Sequence, residues 1–152
     1  MEITSEIIEA HVFRIEEKSI KFLNLKRSSE VIYPGVWQPV TGKIKSGEKA
    51  YETALREIKE ETGIIPLKLW AAPQVNSFYS VQKDAIYMVP IFAALTDVKD
   101  IQLCSEHCEY KWVTREEANK LVAWEGQKQA MRVIEDYFLN NKVHLDLVEI
   151  KF

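Results

Sequence analysis

Apolar positions along the chain follow two different periods. In IIEAHVFRIE (7–16) and KSIKFLNLKR (18–27) strand-forming residues alternate in part, with Glu16-Glu17-Lys18 able to turn between them. The stretch SSEVIYPGVWQPVTGKI (28–44) predicts a further short strand broken at Pro34-Gly35. A long helix is expected from near Glu48, whose carboxylate suits exposed N–H groups, to a stop at Gly63. LKLWAAPQVNSFYS (67–80) and AIYMVPIFAAL (85–95) read as strands, the second apolar enough to be central, with Pro90 marking an irregularity or edge. YKWV (110–113) is a shorter strand. Thr114 can cap a helix REEANKL, because Glu117 falls at its third position, and another helix is expected over Gln127 to Leu139. The tail VHLDLVEIKF alternates and is expected to return to a sheet edge. Strands, helix, strands, helices in that order predict an α/β (α+β) chain with a mixed sheet packed by helices, in one domain over residues 1–152.

The composition is that of a folded soluble protein, 47% hydrophobic and 28% charged. A formal charge of -3 gives no general basic field for a nucleic-acid polymer, although a small phosphate-bearing substrate needs only one local site. Cys104 and Cys108 fit free thiols in a reducing compartment; with His107 they supply too few ligands for a structural zinc. No apolar run reaches the ~20 residues that span a bilayer, and the N-terminus lacks a basic region leading into an apolar one. The cytoplasm is the expected location, with no membrane partner. A monomer and a homodimer both fit.

Placed on a helix at ~100° per residue, Tyr51, Ala54, Leu55, Ile58 and Thr62 gather on one face. Glu57, Glu60 and Glu61 share an adjacent region, and Arg56 is spaced to meet Glu52 or Glu60. A solvated amphipathic helix accounts for part of this. However, Glu57 and Glu61 then repel each other, and three carboxylates stand at the unfavourable end of the helix dipole. A divalent cation reverses that penalty, and clustered oxygen ligands suit Mg2+ or Mn2+ when substrate phosphates complete the coordination.

The wider segment 42–64 has a defined spacing. Gly42 is followed after five residues by Glu48, and after seven more by Arg56-Glu57-Ile58-x-Glu60-Glu61-x-Gly63-Ile64. This resembles the motif of the Nudix hydrolases at every prescribed position. The resemblance implies an α/β/α sandwich and divalent-metal hydrolysis of nucleoside diphosphates linked to another group. It also implies Glu57, Glu60 and Glu61 as metal ligands, with Arg56 and Glu48 bracing loop and helix. Thr41-Gly42 stands where many members have two glycines. Outside the motif, KFLNLKRSSE, VWQPVTGKIKSGE and SEHCEYKWVTREEANKL are similar to bacterial dihydroneopterin triphosphate pyrophosphatases, often labelled dATP pyrophosphohydrolases, over roughly Val12 to Phe138. In that subgroup Glu106 stands where an additional acidic ligand or water-orienting base is found.

The expected reaction is attack of water on an internal phosphorus of a triphosphate, cleaving the α–β anhydride to a monophosphate and pyrophosphate, with Glu57, Glu60 and Glu106 as the catalytic carboxylates. Lys26, Arg27 and Arg14 are candidate phosphate contacts. Trp37 and Gln38 can stack on and hydrogen-bond a flat ring, with Thr41, Phe78 and Tyr79 as further lining residues. Trp112 reads as core. A diadenosine polyphosphate or nucleotide-sugar hydrolase would use the same carboxylates with another pocket. A nucleotide-binding regulator without turnover would not need all of them.

Overall fold

The computed structural model describes residues 1–152. The elements in chain order are β1 (Glu2–Thr4), β2 (Ile7–Glu16), β3 (Ser19–Arg27), β4 (Trp37–Gln38), β5 (Val40–Lys43), α1 (Ala50–Thr62), β6 (Lys68–Ser80), β7 (Ala85–Leu95), β8 (His107–Val113), α2 (Arg115–Leu121), α3 (Glu125–Asn140), α4 (Lys142–Asp146) and β9 (Glu149–Ile150). All nine strands join one mixed sheet whose main path runs β4-β3-β2-β7-β6-β9. β7 is parallel to β1 and to β2, and the remaining pairs are antiparallel.

Alternation along β2 sorts the two faces. Ile8, Ala10 and Val12 pack with Leu23, Leu25, Ala54 and Ile58 under α1. Phe13 packs with Trp70, Ala118, Met131, Ile134 and Leu145 under α2, α3 and α4. The sheet is therefore a layer between helices. Phe13, Trp70 and Phe138 anchor the second layer, with the Phe13 and Trp70 rings stacked at 6.0 Å.

Pro90 sits in β7 where its neighbour on one side changes from β1, ending at Tyr87, to β2, beginning at Ile91. On the other side the register shifts between Ala71 and Val75, around Pro73, so two prolines without donors coincide with a bulge. α2 begins as expected, Thr114 Oγ1 accepting from Glu117 N and Glu117 Oε1 from Thr114 N. α1 ends at Gly63, which adopts φ 79° and donates to Lys59 O.

Three expectations need correction. α1 starts at Ala50 rather than near Glu48, because Glu52 Oε1 takes the Lys49 N–H at 2.8 Å and leaves Glu48 free to face elsewhere. The tail does return to a sheet edge, but only through its last residues. Residues 142–146 are helical and only Glu149–Ile150 pairs with β6, within the same sheet. Finally, β1 at the N-terminus is an additional short strand.

Candidate active site

β5 and α1 build the acidic cluster together. Gly42 lies opposite Ile8 of β2 and faces α1, and the Glu57 side chain lies across it. A Cβ at position 42 would stand 2.2 Å from Glu57 Cγ, so only glycine leaves room for that carboxylate. Arg56 organises the surroundings with all five of its N–H groups. Nε and Nη2 donate to Glu48 at 2.6 and 3.0 Å, Nη2 to Lys43 O at 3.0 Å, and Nη1 to Glu57 at 2.6 Å and Glu60 at 3.3 Å. Arg56 thus reaches Glu60 and not Glu52. Glu48 also accepts from Lys45 N and Thr53 Oγ1, and the Arg56 hydrogen bond chiefly holds its carboxyl down to about 2. The Arg56 guanidinium is raised in turn, first by Glu48.

The three motif glutamates occupy different environments. Glu60 is 55% exposed and Glu57 15%, while Glu61 is buried at 3%. Burial first, then the hydrogen bond and charge of Glu57, with smaller contributions from Cys104 and Glu106, push Glu61 up to about 10. Glu61 Oε2 has no hydrogen-bond partner. His107 opens β8 beside it, its Nδ1 3.7 Å from Glu61 Oε1. Burial, reinforced by Arg27, lowers His107 to about 4, so this approach is not an ion pair. Gln38 Nε2 donates to His107 Nε2 at 3.3 Å, which leaves the ring proton on Nδ1. Glu106 is exposed in the turn before β8, and its carbonyl accepts from Ser28 N at 2.9 Å.

An open cleft of about 600 Å3 adjoins this turn, lined by Lys26, Arg27, Ser28, Pro34 and Ser105 among others. Arg27 Nε donates to Ile32 O at 2.6 Å and Lys26 Nζ stands 3.9 Å from Glu109. Both line that cleft, and Arg27 pairs in the sheet with His107, which stands beside Glu61. Arg14 does not: it pairs with Glu16 and lies 5.1 Å over the Trp112 ring, six residues along β2 from the Ile8–Gly42 pair. Trp37 carries Lys111 Nζ at 4.8 Å from its ring. Thr41 pairs with Glu9, on the opposite face from Gly42. Phe78 stacks on Tyr87 at 5.1 Å and faces α3, whereas Tyr79 points to the other face and donates to Asp84 at 2.7 Å. Cys104 and Cys108 are free thiols.

A NUDIX domain family model matches residues 7–134. The chain belongs to the Nudix family. It is a hydrolase acting on phosphoanhydride bonds. Among relatives, the asymmetrical bis(5'-nucleosyl)-tetraphosphatase of Mus musculus is 30% identical over 128 residues, 78% of this chain and 81% of its own. The nucleoside triphosphatase NudI of Enterobacter sp. (strain 638) is 33% identical over 102 residues, 62% of this chain and 72% of its own. The solved dihydroneopterin triphosphate pyrophosphohydrolase of E. coli superposes with a TM-score of 0.72 at 23% identity, covering 87% of this chain and 97% of that one, a likeness of fold.

Nudix hydrolases generally use divalent metals such as Mg2+. The donor set here fits such an ion, with hard carboxylate oxygens at Glu57, Glu60, Glu61 and Glu106 and an unpartnered buried oxygen on Glu61. As the side chains stand, no three acidic, histidine or cysteine groups converge as a closed cage. Arg56 Nη1 donates to both Glu57 and Glu60. The sequence motif pointed to none of His107, Glu9 or Asn24. Only the position of His107 next to Glu106 gave a local signal.

Proposed function

We propose that this Nudix hydrolase is a divalent-metal-dependent pyrophosphohydrolase of a nucleoside or dihydroneopterin triphosphate, cleaving the α–β anhydride to a monophosphate and pyrophosphate. The observation that carries the reading is Glu61, a buried carboxyl with an unpartnered oxygen beside Glu57 and His107, where Arg27 pairs with His107 in the sheet. Mg2+ held by Glu57, Glu60 and Glu61 would supply charge neutralisation of the phosphates and a more acidic water. Arg27 and Lys26 bind and orient the phosphate chain. Glu106, exposed and outside the Arg56 network, would accept the proton of the attacking water. Arg56 and Glu48 hold α1 against the β5 loop, so that Glu57 keeps its place over Gly42.

A second reading, a dinucleoside tetraphosphate as substrate, is supported by the mouse relative over 128 residues. Ion-exchange analysis of products formed with Mg2+ separates them. The panel is dihydroneopterin triphosphate, the dNTPs, a diadenosine polyphosphate and a nucleotide sugar. Monophosphate plus pyrophosphate from a triphosphate is the expected result. Turnover confined to the diadenosine polyphosphate would establish the second reading instead. No product from any of them would refute both.

A further inference from the structure

A break in the register of β8 sets a buried imidazole against one of the motif glutamates. Tyr110 pairs with Leu25, both packed under α1, and Glu109 pairs with Lys26 on the other face. Plain alternation would then turn Cys108 toward α1, opposite Arg27. Instead the register shifts, His107 stands opposite Arg27, and Cys108 is left exposed beside the cleft. The irregularity re-aims the end of the strand and buries His107 to 4% exposure where alternation would put the thiol. On the other side of β3, Gln38 pairs with Leu25 and is 7% exposed. Gln38 of β4, His107 of β8 and Glu61 of α1 thus meet in one buried line.

The hydrogen bonds in this line have a direction. An amide nitrogen only donates, so the 3.3 Å contact from Gln38 Nε2 makes His107 Nε2 the acceptor and puts the ring proton on Nδ1. Gln38 Nε2 is thereby committed to the imidazole rather than to a substrate ring. Nδ1 is buried without a partner and stands 3.7 Å from Glu61 Oε1, and Glu61 Oε2 is buried without a partner as well. Closing that approach to a charge-assisted bond of about 2.8 Å takes a shift of about 1 Å. A carboxylate ligand with no outer partner is free to turn about its last bond. One whose first oxygen accepts a fixed N–H presents its second oxygen in one direction.

We propose that His107 is a positioning residue for Glu61: its Nδ1–H, set by Gln38, holds Glu61 Oε1 so that Oε2 serves the divalent ion. The assignment rests on the metal-dependent reading above, but it concerns ion binding and is measured without turnover. NMR of the ring nitrogens in the metal-free protein should show His107 protonated at Nδ1, and Gln38→Leu should turn that single tautomer into a mixture. Mn2+ titration followed by electron paramagnetic resonance should give a Kd raised about 10–100-fold in His107→Leu. His107→Asn, whose amide N–H falls near the place of Nδ1, should recover most of the affinity, while His107→Gln, which reaches toward the place of Nε2, should not. In kinetics the Mg2+ concentration for half-maximal rate should rise in His107→Leu, with the substrate KM at saturating Mg2+ unchanged. A wild-type ring proton on Nε2, wild-type Mn2+ affinity in a folded His107→Leu protein, or equal losses in the Leu and Asn variants overturns the assignment. Should the Leu variant not fold, the wild-type tautomer and the contrast between Asn and Gln decide it. Mn2+ binding weakened by His107→Leu in a protein that hydrolyses no triphosphate would sink the proposed reaction alone. Triphosphate hydrolysis with Mn2+ affinity untouched by that substitution would sink the positioning role alone.

Discussion

Gly42→Ala separates the position of Glu57 from the stability of the fold. The new Cβ would lie 2.2 Å from Glu57 Cγ and 2.5 Å from Cδ, and reaching an ordinary contact of 3.4 Å requires the side chain to retreat by about 1 Å or more. The backbone cannot absorb this easily, since Gly42 is in register with Ile8 in the sheet. Displacing Glu57 forfeits its 2.6 Å bond from Arg56, a pair in partly exposed surroundings that contributes about 0.2–1 kcal/mol. Replacing glycine stiffens the unfolded chain by about 0.4–1 kcal/mol in compensation, because Gly42 is not among the positive-φ glycines. Stability should therefore change by less than about 1 kcal/mol, or about 2–4 °C in Tm for a chain of this length. A reactive carboxylate moved by ~1 Å should lower kcat/KM about 100-fold, equivalent to about 2.7 kcal/mol. Calorimetry and pyrophosphate release measure the two. Gly47→Ala is the control: its φ of 84° strains alanine by about 1–2 kcal/mol, but nothing lies within 4 Å of the new Cβ. It should lose Tm and keep activity. A fully active Gly42→Ala enzyme would refute the placement of Glu57 in the reaction.

Four other outcomes follow from the same geometry. Glu60→Gln should leave Tm unchanged, as the side chain is 55% exposed, and remove most turnover; near-normal turnover would discard its ligand role. Arg56→Lys retains the charge but cannot match five directed N–H bonds, so Tm should fall by several degrees and activity with it; an unaffected Tm would show the fork to be dispensable. Glu48 is depressed to about 2, so its contribution is full above about 4.5 and is lost as pH falls toward 2. The Tm gap between wild type and Glu48→Gln should accordingly narrow from pH 6 to pH 3, and a constant gap would contradict the bracing role. Glu61 is raised to about 10, so in chelator its contribution is full below about 4.5 and declines as pH rises, and Glu61→Gln should gain Tm on wild type between pH 5 and pH 9. Adding Mg2+ should raise the wild-type Tm more than that of Glu61→Gln, and equal shifts would remove Glu61 from the ion.

Strong local patterns made α1 and the long strands readable. The spacing of the motif placed Glu57 and Glu61 near each other because helical periodicity allows little else. The tail misled because alternation in VHLDL does not separate two environments: Leu145 is buried, while Val143 on the short helix and Leu147 just after it are each 79% exposed. Arg14 appeared suitable because it lies on a strand, but a strand advances ~3.3 Å per residue and carries it away from Gly42. Glu9, His11 and Asn24 were hidden for another reason. Polar residues alternating with Ile8, Ala10, Leu23 and Leu25 read as the solvent face of a strand, and no local signal says that α3 will cover them.

The separation of β2 from β3 gives two sets of buried polar side chains a common origin. β3 pairs with β2 only through Phe22; beyond that point β4 follows β3 while β5 follows β2. Pro39, with no N–H to donate, stands between β4 and β5 where the chain changes partner. On the α1 side the opening admits Gln38, His107 and Glu61, and on the α3 side Glu9, His11 and Asn24. Each set contains a buried polar atom without a partner, Glu61 Oε2 on one face and the Asn24 amide on the other. An unsatisfied buried group destabilises a fold by about 1–3 kcal/mol. Two such groups stand at one divergence of the sheet, a carboxyl beside His107 on the α1 side and an amide on the α3 side.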